Sequence, residues 1–408
     1  MQVLYRIALL TLVSLAIGVC AAAETIAAAP TEPPYAKLRG GLENCRIRFT
    51  RDHEGRVAFL GGSITEMTGW RDLVCADLKT RFPDTRFDFV AAGISSLGST
   101  PHAFRFERDV LGRGPVDLLF VEAAVNDSTN GFSDSAQIRA MEGIVRQART
   151  ANPRIDIIFL HFVDPEKMAL YRKGVTPPVI VNHEKVAEYY GIPSIDLAKE
   201  VTSRIDAGEF TWAQFRDLHP SPFGHGIYQR SIGRLFDLAW RGPLPEQARL
   251  RPYALPTTPL DRWNYAQGRL VDLREATLGD GWQLDPNWVP AQGGTRPGFV
   301  KVPMLVAETP GAMLTFKFTG TAVGIFVAAG YDAGKVEYRI DDRPARMQDL
   351  FTPWSGGLHL PWAYVLDDEL PLDTHTLTLR LTDQHHPNSK GTAARLVYFL
   401  VNGSDKAH

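Results

Sequence analysis

Val57-Ala58-Phe59-Leu60-Gly61-Gly62-Ser63-Ile64-Thr65 decides the fold. Four apolar residues in succession, with no polar alternation, read as a strand buried on both faces, the pattern of a parallel sheet covered by helices. Two glycines end the run, and a serine stands where the strand gives way to a helix. Outward from this point the same rhythm repeats. Helical spacing covers 70–82, Phe87-Asp88-Phe89-Val90 is a second strand, Leu118-Leu119-Phe120-Val121 a third, and 133–150 a helix. A fourth strand falls at 155–162, a helix at 179–190, a fifth strand at 192–197 and a last helix at 222–240. The predicted first domain, 56–241, is therefore α/β with a five-stranded parallel sheet, and such sheets place ligands beyond the carboxyl ends of their strands.

The chain has 408 residues, too many for one ordinary domain. A proline-rich stretch at 242–262 reads as a linker. Beyond it, 263–408 alternates with period two, as in Met313-Leu314-Thr315-Phe316-Lys317-Phe318 and Lys335-Val336-Glu337-Tyr338-Arg339-Ile340. That pattern predicts an all-β, jelly-roll-like sandwich. A formal net charge of -2 argues against a nucleic-acid partner, which needs a basic surface to displace counterions.

At the amino end, Arg6 precedes an apolar run over 7–19, and Ala21-Ala22-Ala23 offers a small-residue cleavage site. Residues 1–23 read as a secretory signal peptide, followed by an extension over 24–55. The run is short for a membrane span of about 20 residues, so no stable membrane insertion is expected after cleavage. Cys20 raises a lipoprotein alternative, but Val19 stands where that signal wants a small residue. An exported protein, periplasmic or extracellular, is the expectation. Cys45 and Cys75 then remain, compatible with one disulfide or with two thiols. Neither lies in a cluster suited to a metal, and no cofactor is implied.

Four polar or glycine positions carry the chemistry. Ser63 follows the first strand. Gly93 ends the second, in Ala91-Ala92-Gly93. Asn126 follows the third, in Ala123-Ala124-Val125-Asn126-Asp127. His219 lies in Asp217-Leu218-His219-Pro220, just before the last helix. Each alone has an ordinary explanation: a helix cap, a strand end, a turn, a structural histidine. In order at the ends of successive parallel strands they would meet on one face. They would supply a nucleophile (Ser63), a base (His219) and oxyanion donors from the Ser63 and Gly93 N–H groups and the Asn126 amide.

On these residues the segment 56–240 resembles the SGNH, or GDSL-type, hydrolases. Ser63 matches the first-block serine, with Gly61-Gly62-Ser63 for the commoner Gly-Asp-Ser. Gly93, Asn126 and His219 match the glycine, asparagine and histidine of the later blocks. The resemblance implies a flavodoxin-like sheet and ester hydrolysis through an acyl-enzyme, with no metal. One position departs from the family: its aspartate stands three residues before the histidine, where this chain has Arg216, and Asp217 is only two before. Either Asp217 reaches His219 along a different loop path, completing a catalytic triad, or a backbone carbonyl orients the ring.

Export, the β-rich companion and aromatic residues near the site point to an acylated, foremost acetylated, carbohydrate as substrate. Trp70, Asp127, Trp212 and Phe223 are the candidate substrate-binding residues. The segments Trp354 to Trp362 and His385 to Gly391 resemble parts of β-rich modules attached to bacterial SGNH proteins, where they would either contact carbohydrate or simply pack. Two other readings stand beside the esterase. One is a glycosidase on the same fold, using a carboxylate pair drawn from Glu66, Glu122, Asp127 or Asp217. The other is a carbohydrate-binding protein without catalysis. The sequence leaves the oligomeric state open.

Overall fold

The structure, a computed structural model, describes residues 34–296 and 298–403. The expected signal peptide and Cys20 lie outside these residues. In chain order the first region contains β1 (Ala36–Lys37), α1 (Glu43–Ile47), β2 (Glu54–Gly61), α2 (Ser63–Glu66), α3 (Trp70–Arg81), β3 (Arg86–Gly93), α4 (Ser99–Asp109), β4 (Leu118–Glu122), α5 (Ala124–Thr129) and α6 (Asp134–Ala151). It continues through β5 (Asp156–Leu160), α7 (Pro165–Arg172), α8 (Pro178–Tyr189), β6 (Ser194–Ile195), α9 (Leu197–Asp206), α10 (Trp212–Phe215) and α11 (Pro222–Ala239).

Five parallel strands run in the order β6-β5-β4-β2-β3, as expected, and β1 adds a two-residue antiparallel edge beside β6. β4 and β5 are buried at every position because helices cover both faces. On one face α3, α9 and α11 enclose an aromatic core around Phe59, Trp70, Phe120, Phe162 and Phe236. On the other, α4, α6 and α8 contribute Phe104, Met141, Ile144 and Val186. The helices α4, α7 and α9 were not singled out in the sequence. Four of the eleven residues in α4 are charged, and its burial comes from contacts distant along the chain.

The second region contains β7 (Gly268–Val271), β8 (Ala276–Leu278), β9 (Gln283–Trp288), β10 (Gly294–Thr295), β11 (Val302–Ala307) and β12 (Met313–Gly320). It ends with β13 (Ala322–Ala329), β14 (Gly334–Ile340), β15 (Arg346–Asp349), β16 (Leu358–Asp367), β17 (Asp373–His385) and β18 (Ala394–Asn402). These form a seven-stranded sheet, β10-β16-β13-β18-β11-β9 with β7 on β18, and a five-stranded sheet, β15-β14-β17-β12-β8. Between them lies a core of Leu314, Phe316, Val336, Leu379 and Phe399.

The outer face of the seven-stranded sheet is not solvated. Trp288, Phe299, Met304, Phe326, Val397 and Leu400 join the same apolar core as Phe104, Ala140 and Ile144 of the first region. That is why β13, Ala322-Val323-Gly324-Ile325-Phe326-Val327-Ala328-Ala329, is buried throughout, whereas β12, β14 and β17 alternate. Polar ties reinforce the junction. Arg139 of α6, nearly buried, donates to Asp261 (2.9 Å), Asp368 (2.7 Å) and Glu369 (2.5 Å), and the Tyr265 hydroxyl donates to Asp368 at 2.8 Å.

The stretch 242–262 has no helix or strand, yet it is bound along the first region. The Arg251 N–H and carbonyl pair with the Asn44 side chain at 2.8 Å each, the Tyr253 hydroxyl donates to Asp156, and the N–H groups of Leu260 and Asp261 reach Glu142 at 2.7 and 2.8 Å.

The disulfide alternative is overturned: Cys45 and Cys75 are free thiols. Cys45 is fully buried on α1, where its N–H donates to Asp156 at 2.7 Å, while Cys75 is half-exposed on α3. Burial pushes the Cys75 thiol up to about 12, so it is no thiolate at neutral pH.

Candidate active site

The nucleophile turn is built by close approach. β2 ends at Gly61, and Ser63 opens the single turn α2, where the Thr65 and Glu66 N–H groups return to the Gly62 carbonyl at 3.1 and 2.9 Å. A Cβ on Gly62 would lie 2.2 Å from the Asn126 Oδ1, and one on Gly93 would lie 2.3 Å from the Glu66 amide nitrogen. Only glycine lets the turn seat against both. These contacts place Ser63 between the ends of β3 and α5. The Ile94 N–H donates to the Gly61 carbonyl at 3.0 Å, tying the end of β3 to the end of β2. Ser63, Gly93, Asn126 and His219 are each partly exposed, while Gly62, Ile64, Val125 and Asp127 around them are buried.

His219 arrives on the loop between α10 and α11. Arg216 takes a positive φ of 96°, a conformation rare outside glycine. Ser221 closes the loop: its N–H donates to the Phe215 carbonyl at 2.8 Å, and its Oγ accepts from Gly224 at 3.2 Å to cap α11. The result is a hydrogen bond of 2.7 Å between the Ser63 Oγ and the His219 Nε2. Burial is the largest influence on the imidazole and holds its pKa below the ordinary value. The Asp217 charge pulls it back up, and Arg296 and Arg216 push it down. A neutral ring is what a general base requires.

Asp217 does not bond the ring. Its Oδ1 accepts from the His219 backbone N–H at 2.6 Å, closing a two-residue Asx turn. The offset from the family spacing is the cause: a carboxylate two residues upstream reaches the main chain first. No hydrogen-bond partner for the His219 Nδ1 occurs among the described residues.

Two expected substrate-binding residues are corrected. Trp70 is 0% exposed, packed edge-on against Phe59, Phe120 and Phe162. Asp127 is 0% exposed and fully engaged: its Oδ1 accepts from the Ser99 N–H at 2.7 Å, and its Oδ2 meets the His183 Nε2 at 2.9 Å. Trp212, half-buried, stacks on Phe215, and Phe223 stands exposed edge-on to Phe210 at the start of α11. In the β region Trp354 is exposed, whereas His359 and Trp362 are buried and His386 stacks on Phe351.

The carboxylates of the glycosidase reading are likewise committed. Glu66 accepts from the Ser95 N–H at 2.8 Å and from its hydroxyl, fixing the turn after Gly93. Glu122 is 1% exposed beneath the nucleophile turn, facing the Gly62 and Val125 N–H groups at 3.5 and 3.4 Å, and burial raises its pKa to about 7. Neither buried Glu122 nor buried Asp127 can reach a sugar.

Sequence reading missed several supporting residues. Arg105 of α4, fully buried, donates to the Ala92 carbonyl at 2.5 Å and the Gly61 carbonyl at 3.4 Å, strapping the ends of β2 and β3 together. His225 accepts the Trp70 N–H on Nδ1 at 3.1 Å, behind His219. The His219-to-His225 spacing on one loop and helix was the available hint; Arg105 offered none. Among the described residues no group of three or more His, Cys, Asp or Glu side chains is arranged to hold a metal. No helix among them is long and apolar enough to cross a membrane.

Comparison with known proteins agrees with this geometry. Residues 59–227 match the GDSL-like lipase/acylhydrolase family. No curated protein gives a match. Two solved structures of a two-domain esterase, CEX, active on acetylated mannans, align with nearly the whole chain. The form co-crystallised with mannopentaose is 22% identical, covers 92% of this chain and 98% of its own, and has a TM-score of 0.71. The other form is 22% identical, with coverage of 91% and 98% and a TM-score of 0.72. Residues 59–227 thus resemble the GDSL-like lipase/acylhydrolases, and the chain shares with that esterase the fold of an α/β region followed by an all-β region.

Proposed function

We propose that the protein is an exported serine esterase that removes acetyl groups from a carbohydrate through an acyl-enzyme on Ser63. The observation that carries this reading is the 2.7 Å contact between the Ser63 Oγ and the His219 Nε2 at the carboxyl ends of a parallel sheet. His219, neutral, accepts the Ser63 proton as Oγ attacks the ester carbonyl. The N–H groups of Ser63 and Gly93 and the Asn126 amide meet the oxyanion, a role worth roughly 100-fold or more per donor. Collapse expels the sugar alkoxide, which takes its proton from His219. Water, deprotonated by the same histidine, then attacks the acyl carbon and frees the acid and Ser63. The activity of CEX on acetylated mannans supports a carbohydrate ester, and the apolar run at 7–19 supports export.

The test is acetate release from a panel of acetylated glycans, with fluorophosphonate labelling of the wild type. Ser63→Ala and His219→Ala should each lose about 10³-fold or more in kcat with unchanged circular dichroism, and labelling should vanish in Ser63→Ala. Near-native turnover by folded Ser63→Ala would end the serine mechanism.

A further inference from the structure

Asn126, an oxyanion donor in the esterase reading above, sits on a helix too short to set its own direction. α5 has six residues, and Ala123 at its N-cap offers no side-chain hydrogen bond. The Ser128 and Thr129 hydroxyls turn back onto the helix itself, 3.2 Å from the Ala124 carbonyl and 3.1 Å from that of Val125. A helix of this length is unstable alone in water, so its orientation comes from its neighbours. The Asn126 Oδ1 packs where Gly62 has no side chain, since a Cβ there would lie 2.2 Å away. The direction of the amide therefore follows the direction of the helix.

Asp127, the next residue, fastens α5 to two other helices. Its Oδ1 accepts from the Ser99 N–H at the start of α4 at 2.7 Å, and Gly98 makes room for it, since a Cβ there would stand 2.3 Å from that oxygen. Its Oδ2 meets the Nε2 of His183, in the middle of α8, at 2.9 Å. Both side chains are buried. Burial holds the His183 ring below its ordinary pKa against the pull of Asp127, so the ring is neutral and the proton facing Asp127 lies on Nε2. His183 is itself braced. Its ring lies 5.7 Å from that of His161, whose Nε2 meets the Glu184 Oε1 at 3.0 Å, and Glu184 also takes Arg39 at 2.6 Å and Lys37 at 2.9 Å. Asn182 donates to Asp134 and Gln137 at 2.7 and 3.0 Å, locking α8 onto α6. Lys167 adds a longer contact to Ser128 at 3.3 Å.

We propose that His183 is a positioning residue of the oxyanion hole: through Asp127 it fixes α5 so that the Asn126 amide meets the oxyanion formed as Ser63 attacks. Without the His183 donor, the Asp127 Oδ2 becomes a buried acceptor with no partner, a costly state that a short helix relieves by shifting. A displacement near one ångström lowers rates by about 10²-fold. The loss falls on kcat, because the oxyanion exists only on the way through the transition state. The assignment rests on the esterase reading and adds to it a residue that acts without touching the ester.

The test is a double-mutant cycle on the full chain with p-nitrophenyl acetate as substrate. His183→Phe keeps a ring and removes the donor. Its kcat should fall by about tenfold or more, with KM within about twofold of the wild type. His183→Gln, whose amide can reach Asp127 from the same place, should recover most of that loss. In an Asn126→Ala background, where the donor being positioned is already gone, His183→Phe should cost less than about twofold, because the two changes remove one interaction. If His183→Phe does not fold by circular dichroism, His183→Asn, whose shorter amide stops short of Asp127, takes its place in the cycle. Equal losses in the two backgrounds would assign His183 to the scaffold alone and overturn the proposal. So would an unchanged kcat in His183→Phe, full turnover by Asn126→Ala, or failure of both His183 variants to fold. Each of these outcomes leaves the esterase reading standing as long as the wild type turns over the ester. No hydrolysis by the folded wild type removes that reading and this assignment with it.

Discussion

Asp217→Asn is the substitution that separates this site from a full triad. The Asp217 carboxylate holds the His219 backbone N–H at 2.6 Å, and an asparagine Oδ1 can accept the same bond, so the loop should keep its shape. What disappears is a negative charge near the ring. The Asp217 side chain is 53% exposed, so water screens its field. Two unit charges about 4 Å apart in water interact by roughly 1 kcal/mol, which caps the change in the His219 pKa at about 0.7 unit. The sign follows from the charge. The carboxylate favours the imidazolium, so its removal lowers the pKa further, and the acid limb of kcat/KM should move to lower pH. On the plateau the imidazolium formed in the transition state loses the same interaction, a fall of no more than about fivefold. A carboxylate bonded to Nδ1 would instead be worth about 10⁴-fold. Profiles of kcat/KM for both proteins on a soluble ester, between about pH 4 and pH 9, measure limb and plateau together. A plateau loss of about 10³-fold or more would show that Asp217 turns onto the ring during turnover and would refute this reasoning.

Gly62→Ala should cost about 10²-fold or more in kcat, because its Cβ would stand 2.2 Å from the Asn126 Oδ1 and displacements near one ångström carry penalties of that size; near-wild-type turnover would contradict the packing described. Trp70→Ala should destabilise the fold by about 3–5 kcal/mol in urea titration, and a stable variant altered only in KM would restore Trp70 as a substrate contact. Burial lifts the Glu122 carboxyl to about 7, against about 4.3 in an unfolded chain, so the folded protein binds that proton more tightly. The resulting stability is complete below about pH 4 and is lost as pH rises through 7. Glu122→Gln should flatten this slope, worth on the order of 3 kcal/mol, in chemical denaturation measured across the range, and an unchanged slope would assign the titration elsewhere.

The sequence revealed what is periodic or unusual along the chain. Apolar runs such as Leu118-Leu119-Phe120-Val121 marked the strands because both their faces are buried; Ser63, Gly93 and Asn126 stood out because each ends or follows such a run, and His219 because it stands beside an acid just before the last helix. Contacts made across the fold left no such trace. Trp70 lies only seven residues from Ser63, yet α3 turns its ring inward. Asp127 adjoins Asn126, but successive helix positions point about 100° apart, and it faces His183. Arg105 reaches the site from a segment whose local pattern carried no chemistry; its role arises from what lies opposite it in space.

The core shared between the α/β region and the seven-stranded sheet also sets an order of assembly. During synthesis amino-terminal segments emerge first. α4, whose Phe104 joins the shared core, is complete by residue 109, but β18, which it meets and which brings Val397 and Leu400, comes at the far end of the chain, and two of the three counter-charges of Arg139 are Asp368 and Glu369. Until residues 368 and 369 emerge that guanidinium lacks two of its three carboxylates, and until the last strand exists the shared core lacks Val397 and Leu400. Closure of such distant pairs slows folding. β18, the last strand described, is thus the keystone of the catalytic region, and a chain arrested shortly before it would hold every residue of the Ser63 site while leaving its supporting wall unbuilt.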